Sequence, residues 1–383
     1  MMTATILGLL TLAIWLYLLL GHGGFWLARE RDDGHSIASP ARWPSVVAVV
    51  PARNEAEVIA ESIESLLRQD YPGSFHIVLV DDGSDDGTAD VARRAAQRLD
   101  NGDRLEILPG SALPAGWTGK VWAMHQGVQR ASTADYLLLT DADIGHSPDN
   151  LRNLVARAEH DGAVLVSLMA ELSTATRAER FLIPAFVFFF QMLYPFAWVA
   201  RTDKSLAAAA GGCMLVRRAA LERAGGLMSI RAEIIDDCAL ARQLKKAGPI
   251  RLGLTRRARS LRPYGDFADI GRMISRSAYA QLRYSPLLLA ATVAGMMLTY
   301  IAPPLLAIFS AGIGQAAGAS AWLLMAIAYQ PMLRFYRQSP FWGLALPAVA
   351  AAYMLFTVRS AVEVWRGRGG MWKGRMQAMA GDA

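Results

Sequence analysis

Three acidic motifs mark this chain: Asp81-Asp82-Gly83-Ser84-Asp85-Asp86-Gly87-Thr88, Asp141-Ala142-Asp143 and Ile235-Asp236-Asp237. The first two each follow an apolar, strand-like run, His76-Ile77-Val78-Leu79-Val80 and Tyr136-Leu137-Leu138-Leu139-Thr140. Carboxylates at the carboxyl ends of parallel strands line the crevice in which an open α/β sheet binds its ligand. Their oxygen donors suit Mg²⁺ or Mn²⁺ carrying a diphosphate. Together these features point to the chemistry of a nucleotide-linked sugar.

Each residue has a chemical and a plainer reading. Asp81 and Asp82 are placed to accept hydrogen bonds from a base or a ribose. A calcium-loop reading starting at Asp82 fails, because Arg93 stands where the twelfth position needs a bidentate Glu. Asp85 or Asp86 is free to cap the helix that follows. In Asp141-Ala142-Asp143, one carboxylate coordinates the divalent cation while the other holds ribose or orients water. Lys120, at a helix start, either approaches phosphate and supports the metal-site carboxylates or is a solvated surface lysine. Pro51, Ala52, Arg53, Asn54 and Glu55 form a strand-to-helix turn whose backbone amides are candidates to meet a nucleotide, with Glu55 accepting a hydrogen bond. The plainer reading there is a helix capped by Asn54. Asp236 and Asp237 either supply a general base for an acceptor hydroxyl or favour a helix start through its dipole.

The elements that must position these groups alternate. Val46 to Val50 reads as a buried strand, followed by a helix with Glu57 at its third position and Val58, Ile59, Ile63, Leu66 and Leu67 as its apolar stripe, ended by Tyr71-Pro72-Gly73. Strand 76–80, helix 88–98, strand 104–108, helix 120–130, strand 136–140 and helix 149–159 continue the pattern. The expected fold class is α/β, a mostly parallel sheet with helices on its faces.

That domain accounts for only part of the 383 residues. Hydrophobic residues make up 53% of the chain, more than an ordinary soluble enzyme carries. Residues 3–20 are nearly all apolar, with no preceding Lys or Arg and no clear cleavage site, so an uncleaved anchor is expected rather than a signal peptide. Arg29 and Arg31 then place the following domain in the cytoplasm. Residues 181–200 carry no charge, yet a full crossing there would put Asp143 and Asp237 on opposite membrane faces, so an interfacial segment is expected. Candidate spans follow at Leu287–Phe309, at Trp322–Leu333 with its flanks, and at Phe341–Val358. Positive charge at Arg334–Arg337 and in the tail (Arg359, Arg366, Arg368, Lys373, Arg375) places both in the cytoplasm, which one full span between them forbids; one hydrophobic segment is therefore a candidate to be re-entrant. The net charge of +6 reads as attraction to anionic lipid and not to nucleic acid, since no aromatic-studded basic groove or zinc motif accompanies it. Cys213 and Cys238 form no CxxC and imply no disulfide framework.

The expected layout is an anchor and linker over 1–43, a catalytic domain over 44–260, an interfacial basic helix over 261–286, membrane helices over 287–358 and a basic tail over 359–383. An inner-membrane, multi-pass protein with a cytoplasmic catalytic domain follows from it.

Val47 to Glu55, Val80-Asp81-Asp82-Gly83-Ser84, Gly119-Lys120, Asp141-Ala142-Asp143, Gly211-Gly212-Cys213 and Asp236-Asp237 together resemble, in type and order, the motifs of inverting family 2 glycosyltransferases with a GT-A fold. The resemblance covers about residues 45–285. Arg276 to Pro286 and the membrane layout look like the hopanoid-biosynthesis-associated members, and the tail from Trp365 to Arg375 is similar to theirs and to that of carotenoid glycosyltransferases. The resemblance implies that Asp82, with Asp81, binds uracil and ribose, that Asp143 ligates the metal beside Asp141, and that Asp237 is the base. Asp236 stands where the family has Glu. The Gln-x-x-Arg-Trp motif of processive polymer synthases is not intact here, where Gln281-Leu282-Arg283-Tyr284 stands. What is implied is a membrane hexosyltransferase moving sugar from a UDP-linked donor to a lipid hydroxyl, a hopanoid polyol being the first expectation. A membrane polysaccharide synthase and a carotenoid or glycolipid glycosyltransferase are the alternatives.

Overall fold

The computed structural model describes residues 1–34, 37–367, 371–372 and 375–376. The chain divides into two compact units. The basic-tail residues Arg368 and Lys373 lie outside the described residues.

In chain order the elements are α1 (Met2–Leu20), β1 (Val46–Ala52), α2 (Ile59–Leu67), β2 (Phe75–Asp81), α3 (Thr88–Gln97), β3 (Leu105–Pro109), α4 (Gly119–Arg130), β4 (Tyr136–Thr140), β5 (Ile144–His146), α5 (Asn150–Asp161), β6 (Leu165–Glu171), α6 (Arg177–Leu193), α7 (Phe196–Ala200), β7 (Cys213–Arg217), α8 (Arg218–Arg223), α9 (Asp236–Lys245), β8 (Ile250–Ser260) and α10 (Phe267–Gln281). Three long apolar helices follow, Pro286–Phe309, Gly312–Phe335 and Pro340–Trp365.

One unit holds residues 30–173 and 198–263 and is built on a sheet of order β3-β2-β1-β4-β7-β6-β8-β5. β1 runs parallel to β2 and β4, β2 to β3, and β6 to β8; β7 is antiparallel to both neighbours, and β5 to β8. Central strands buried on both faces read as near-continuous apolar runs, and β1 and β4 do so. Along β1, Val46, Ala48 and Val50 face Ile59, Ile63, Leu66, Ala92 and Leu154, from α2, α3 and α5. On the opposite face Val78 and Val80 pack with Val47 and with Ala123 of α4.

Helix α4 lies so close to the sheet that a Cβ on Gly127 would come within 2.4 Å of a Val49 methyl. The chain leaves β1 toward β2 and β3, then returns through α4 to β4 on the other side of β1. That reversal is a topological switch point, and it opens the crevice where such sheets bind ligands.

Two local expectations are corrected. Asn54 does not cap a helix: α2 begins at Ile59 behind Val58, with no side-chain cap, and Asn54 has φ of 51°. Asparagine tolerates that left-handed conformation better than most residues. Nor does Tyr71-Pro72-Gly73 end the helix, which has already stopped at Leu67.

The other unit, residues 1–29, 174–197 and 264–367, is helical. Among the described residues four helices are long and apolar enough to cross a membrane: Met2–Leu20, Pro286–Phe309, Gly312–Phe335 and Pro340–Trp365. Helix α6 sits among them as a core helix. Thr176 and Glu179 form a capping box at its start, and Phe188 packs edge-on to Tyr329. Glu179 is fully buried, and its carboxylate accepts from the Thr176 and Tyr264 amides. The 181–200 segment is therefore not one helix. α6 ends at Leu193, and α7 restarts after Tyr194-Pro195.

Candidate active site

The turn after β1 and the acidic loop after β2 lock together. The Asn54 amide donates to Ser84 Oγ (3.0 Å), Glu55 to Thr88 Oγ1 (2.8 Å) and Ala56 to Asp86 Oδ2 (2.9 Å). Asn54 Oδ1 accepts from the Asp85 amide. These three amides are engaged within the protein. Asp86 also accepts from Thr88 N (3.0 Å), but the cap position of α3 is Gly87, which has no side-chain cap, so the expected capping by Asp85 or Asp86 is corrected.

Asp81 Oδ1 accepts from the Ser84 amide at 3.1 Å, while Asp82 is buried with Arg53 Nη1 3.9 Å from its carboxylate. Arg53 also donates to the Asp82 and Gly83 carbonyls, so it braces this loop. Pro51 and Ala52 are buried at the end of β1, and Ala52 lies opposite Asp81 in register.

Lys120, in the first turn of α4, joins the other two acidic motifs. Its ammonium lies 2.8 Å from Asp141 Oδ1 and 3.3 Å from Asp236 Oδ2. Burial opposes its charge, yet Asp141 and Asp236 prevail and hold it well above the usual lysine range. The solvated surface reading is excluded, because the ammonium is occupied by carboxylates.

Asp237 is fixed at both oxygens. The Gly211 amide donates to Oδ2 (2.9 Å) and the Cys238 amide to Oδ1 (2.7 Å). Gly211 allows this approach, since a Cβ there would stand 3.2 Å from Lys120 Nζ and 3.4 Å from Asp237 Oδ2. Burial and the neighbouring Asp236 carboxylate push Asp237 up to about 6, against Lys120 and the two amides. A carboxylate tuned toward neutral pH is suited to accept a proton.

Asp143 is held from β8. Its carbonyl accepts from the Leu261 amide at 2.7 Å, and its Oδ2 accepts from Arg262 Nε at 3.1 Å. The same guanidinium pairs through Nη2 with Glu55. Sequence reasoning missed Arg262. It lies just past an arginine-rich strand, and only the pairing of β5 with β8 reveals that it reaches Asp143.

Among the described residues no group of three or more His, Cys, Asp or Glu side chains forms a ready-made metal cage. That donor set still fits Mg²⁺ or Mn²⁺ carried with a diphosphate, which is bound through one or two carboxylates while phosphates and waters complete the shell. Asp143 is the candidate ligand; Asp141 is engaged by Lys120.

The family model described as Glycosyl transferase family 2 matches residues 47–225. This stretch is similar to family 2 glycosyltransferase domains. Its fold is GT-A, and a solved mannosyltransferase from Pyrobaculum calidifontis, in complex with GDP-Man and Mn²⁺, aligns over 95% of this chain and 99% of its own with a TM-score of 0.56 and 20% identity. An N-acetylglucosaminyltransferase of Rhizobium leguminosarum bv. viciae is 32% identical over 187 residues, which is 46% of this chain and 40% of that protein. An undecaprenyl-phosphate 4-deoxy-4-formamido-L-arabinose transferase of Edwardsiella ictaluri (strain 93-146) is 30% identical over 119 residues, 30% of this chain and 34% of that one. The chain thus spans well under half the length of these curated relatives.

Proposed function

We propose that the protein is a membrane-bound inverting glycosyltransferase that moves a sugar from a nucleoside-diphosphate donor to a lipid acceptor. The observation carrying this reading is the Lys120 bridge, which gathers Asp141, Asp236 and Asp237 at the sheet's crevice. Asp237 takes the proton of the acceptor hydroxyl. The freed oxygen forms a bond to the anomeric carbon as the bond to the diphosphate oxygen breaks, and the electron pair leaves with the nucleoside diphosphate. Attack opposite the leaving group inverts the configuration.

Lys120 holds positive charge beside Asp141 and the base, and fixed positive charge facing a departing diphosphate supplies much of such rate enhancement. A divalent cation bound at Asp143 would supply further neutralisation of the diphosphate. Asp81 and Asp82 lie at the end of β2 for base and ribose. The donor is a UDP-sugar by motif resemblance, while the Pyrobaculum structure holds GDP-Man. Lipid as acceptor draws support from the four apolar helices and from the undecaprenyl-phosphate transferase relative. A hopanoid polyol is its finer form, resting on residues 276–286 and the tail. A cytoplasmic catalytic domain on the inner membrane completes the reading.

The test is transfer of labelled sugar from UDP- and GDP-linked donors to lipid by the full chain in nanodiscs. Transfer that disappears with Asp237→Asn or EDTA is expected. Transfer unaffected by both would overturn the assignment.

A further inference from the structure

We propose that Arg262 is the site's resident counter-cation: it bridges Glu55 and Asp143 when ligands are absent and is released to the donor diphosphate when a divalent cation takes Asp143. This deepens the glycosyltransferase reading and rests on it.

Glu55 is buried, with 9% of its surface exposed, and Asp143 is partly buried. Two carboxylates in a crevice of reduced dielectric repel each other unless a cation lies between them. Arg262 occupies that position, its Nε on Asp143 Oδ2 and its Nη2 on Glu55 Oε2. The carboxylates in return raise the guanidinium's affinity for its proton against the cost of burial.

A dication on Asp143 would lie within a few ångströms of the guanidinium and repel it. The side chain leaves from the residue just past β8, where Leu261 is fixed by its amide on the Asp143 carbonyl. The long side chain can therefore turn without moving the strand. A planar guanidinium with forked donors suits phosphate oxygens, which is what the donor brings with the metal. Arg53 is not equivalent, because it is engaged by the Asp82 and Gly83 carbonyls.

Mn²⁺ binding to the full chain, read by electron paramagnetic resonance without nucleotide, tests the first half. Arg262→Gln should tighten Mn²⁺ binding by about tenfold or more, the scale set by removing one nearby positive charge. Arg262→Lys should lie between, since it keeps the charge and loses the fork. Calorimetry with UDP and with GDP at saturating Mn²⁺ tests the second half, and Arg262→Gln should weaken whichever diphosphate binds by about tenfold. Unchanged or weaker Mn²⁺ binding in Arg262→Gln, or unchanged diphosphate affinity, overturns the proposal. Asp143→Asn separates the two levels. If it abolishes Mn²⁺ binding while Arg262→Gln has no effect, the cation site stands and the role of Arg262 falls. If the unaltered protein binds neither Mn²⁺ nor either diphosphate, the glycosyltransferase reading itself falls.

Discussion

Asp237 and Asp236 are adjacent acids with different surroundings, and the roles proposed for them follow that difference. Asp237 receives two backbone amides, whereas Asp236 faces the Lys120 ammonium. Asp237→Asn keeps the size and removes the proton acceptor, so donor binding should survive while turnover falls roughly 10²- to 10⁴-fold. Asp236→Asn should cost less and leave a distinct mark. The Asp236 charge raises Asp237, so its removal should move the acid limb of the kcat/KM profile, expected near pH 6, to lower pH. Loss of Lys120, as in Lys120→Met, should move that limb upward. An acid limb that neither variant displaces would separate Asp237 from the proton transfer. The same group sets a sign for stability. Its folded value of about 6 lies above the ordinary 3.8, so the folded chain binds the extra proton. The contribution is complete below about 3.8 and is lost as pH rises through 6.

At the scale of elements, the contact of α4 with the sheet decides where Lys120 lies. A Cβ on Gly127 would meet Val49 at 2.4 Å and Val80 at 3.1 Å, both in the sheet. Overpacking of this kind costs roughly 1–3 kcal/mol, so Gly127→Ala should lower the thermal midpoint and weaken catalysis by shifting Lys120. A melting curve identical to the parent's would show that α4 has room to move. Much of this architecture was legible in the sequence because strands buried on both faces announce themselves: 136–140 matches β4 to the residue, and 88–98 and 120–130 differ from α3 and α4 by a residue at one end. The Asn54 turn was not legible, since a residue that caps helices also tolerates φ of 51°, and only the partner loop at 84–88 selects between them. Arg262 was equally hidden, because its meaning depends on a strand pairing more than a hundred residues from Asp143 in sequence.

At the scale of the whole chain, the sheet constrains topology. β6 precedes the 181–200 segment and β7 follows it, and the two pair directly, Leu165 opposite Val216 and Ser167 opposite Met214. A single bilayer crossing between them would tear this ladder apart, so we propose that both flanks belong to one membrane face. Contacts within the helical unit bear on the conflict between Arg334–Arg337 and the tail. Helix Pro340–Trp365 runs along α10: Ser275 Oγ donates to the Phe356 carbonyl, the Tyr279 amide donates to Ser360 Oγ, and the rings of Tyr279 and Trp365 meet edge to face. Helix α10 buries Ile270, Ile274 and Tyr279 while exposing Arg272 and Arg276, the pattern of a helix lying in the head-group layer. We propose that its partner, Pro340–Trp365, though long enough to cross, lies in that layer beside it. Cysteines placed at Gln338 and Arg366 should therefore react with a membrane-impermeant maleimide from the same side, together with cysteines at Thr174 and Lys204. Labelling of 338 and 366 from opposite sides would make the last helix a full span and put the tail across the membrane.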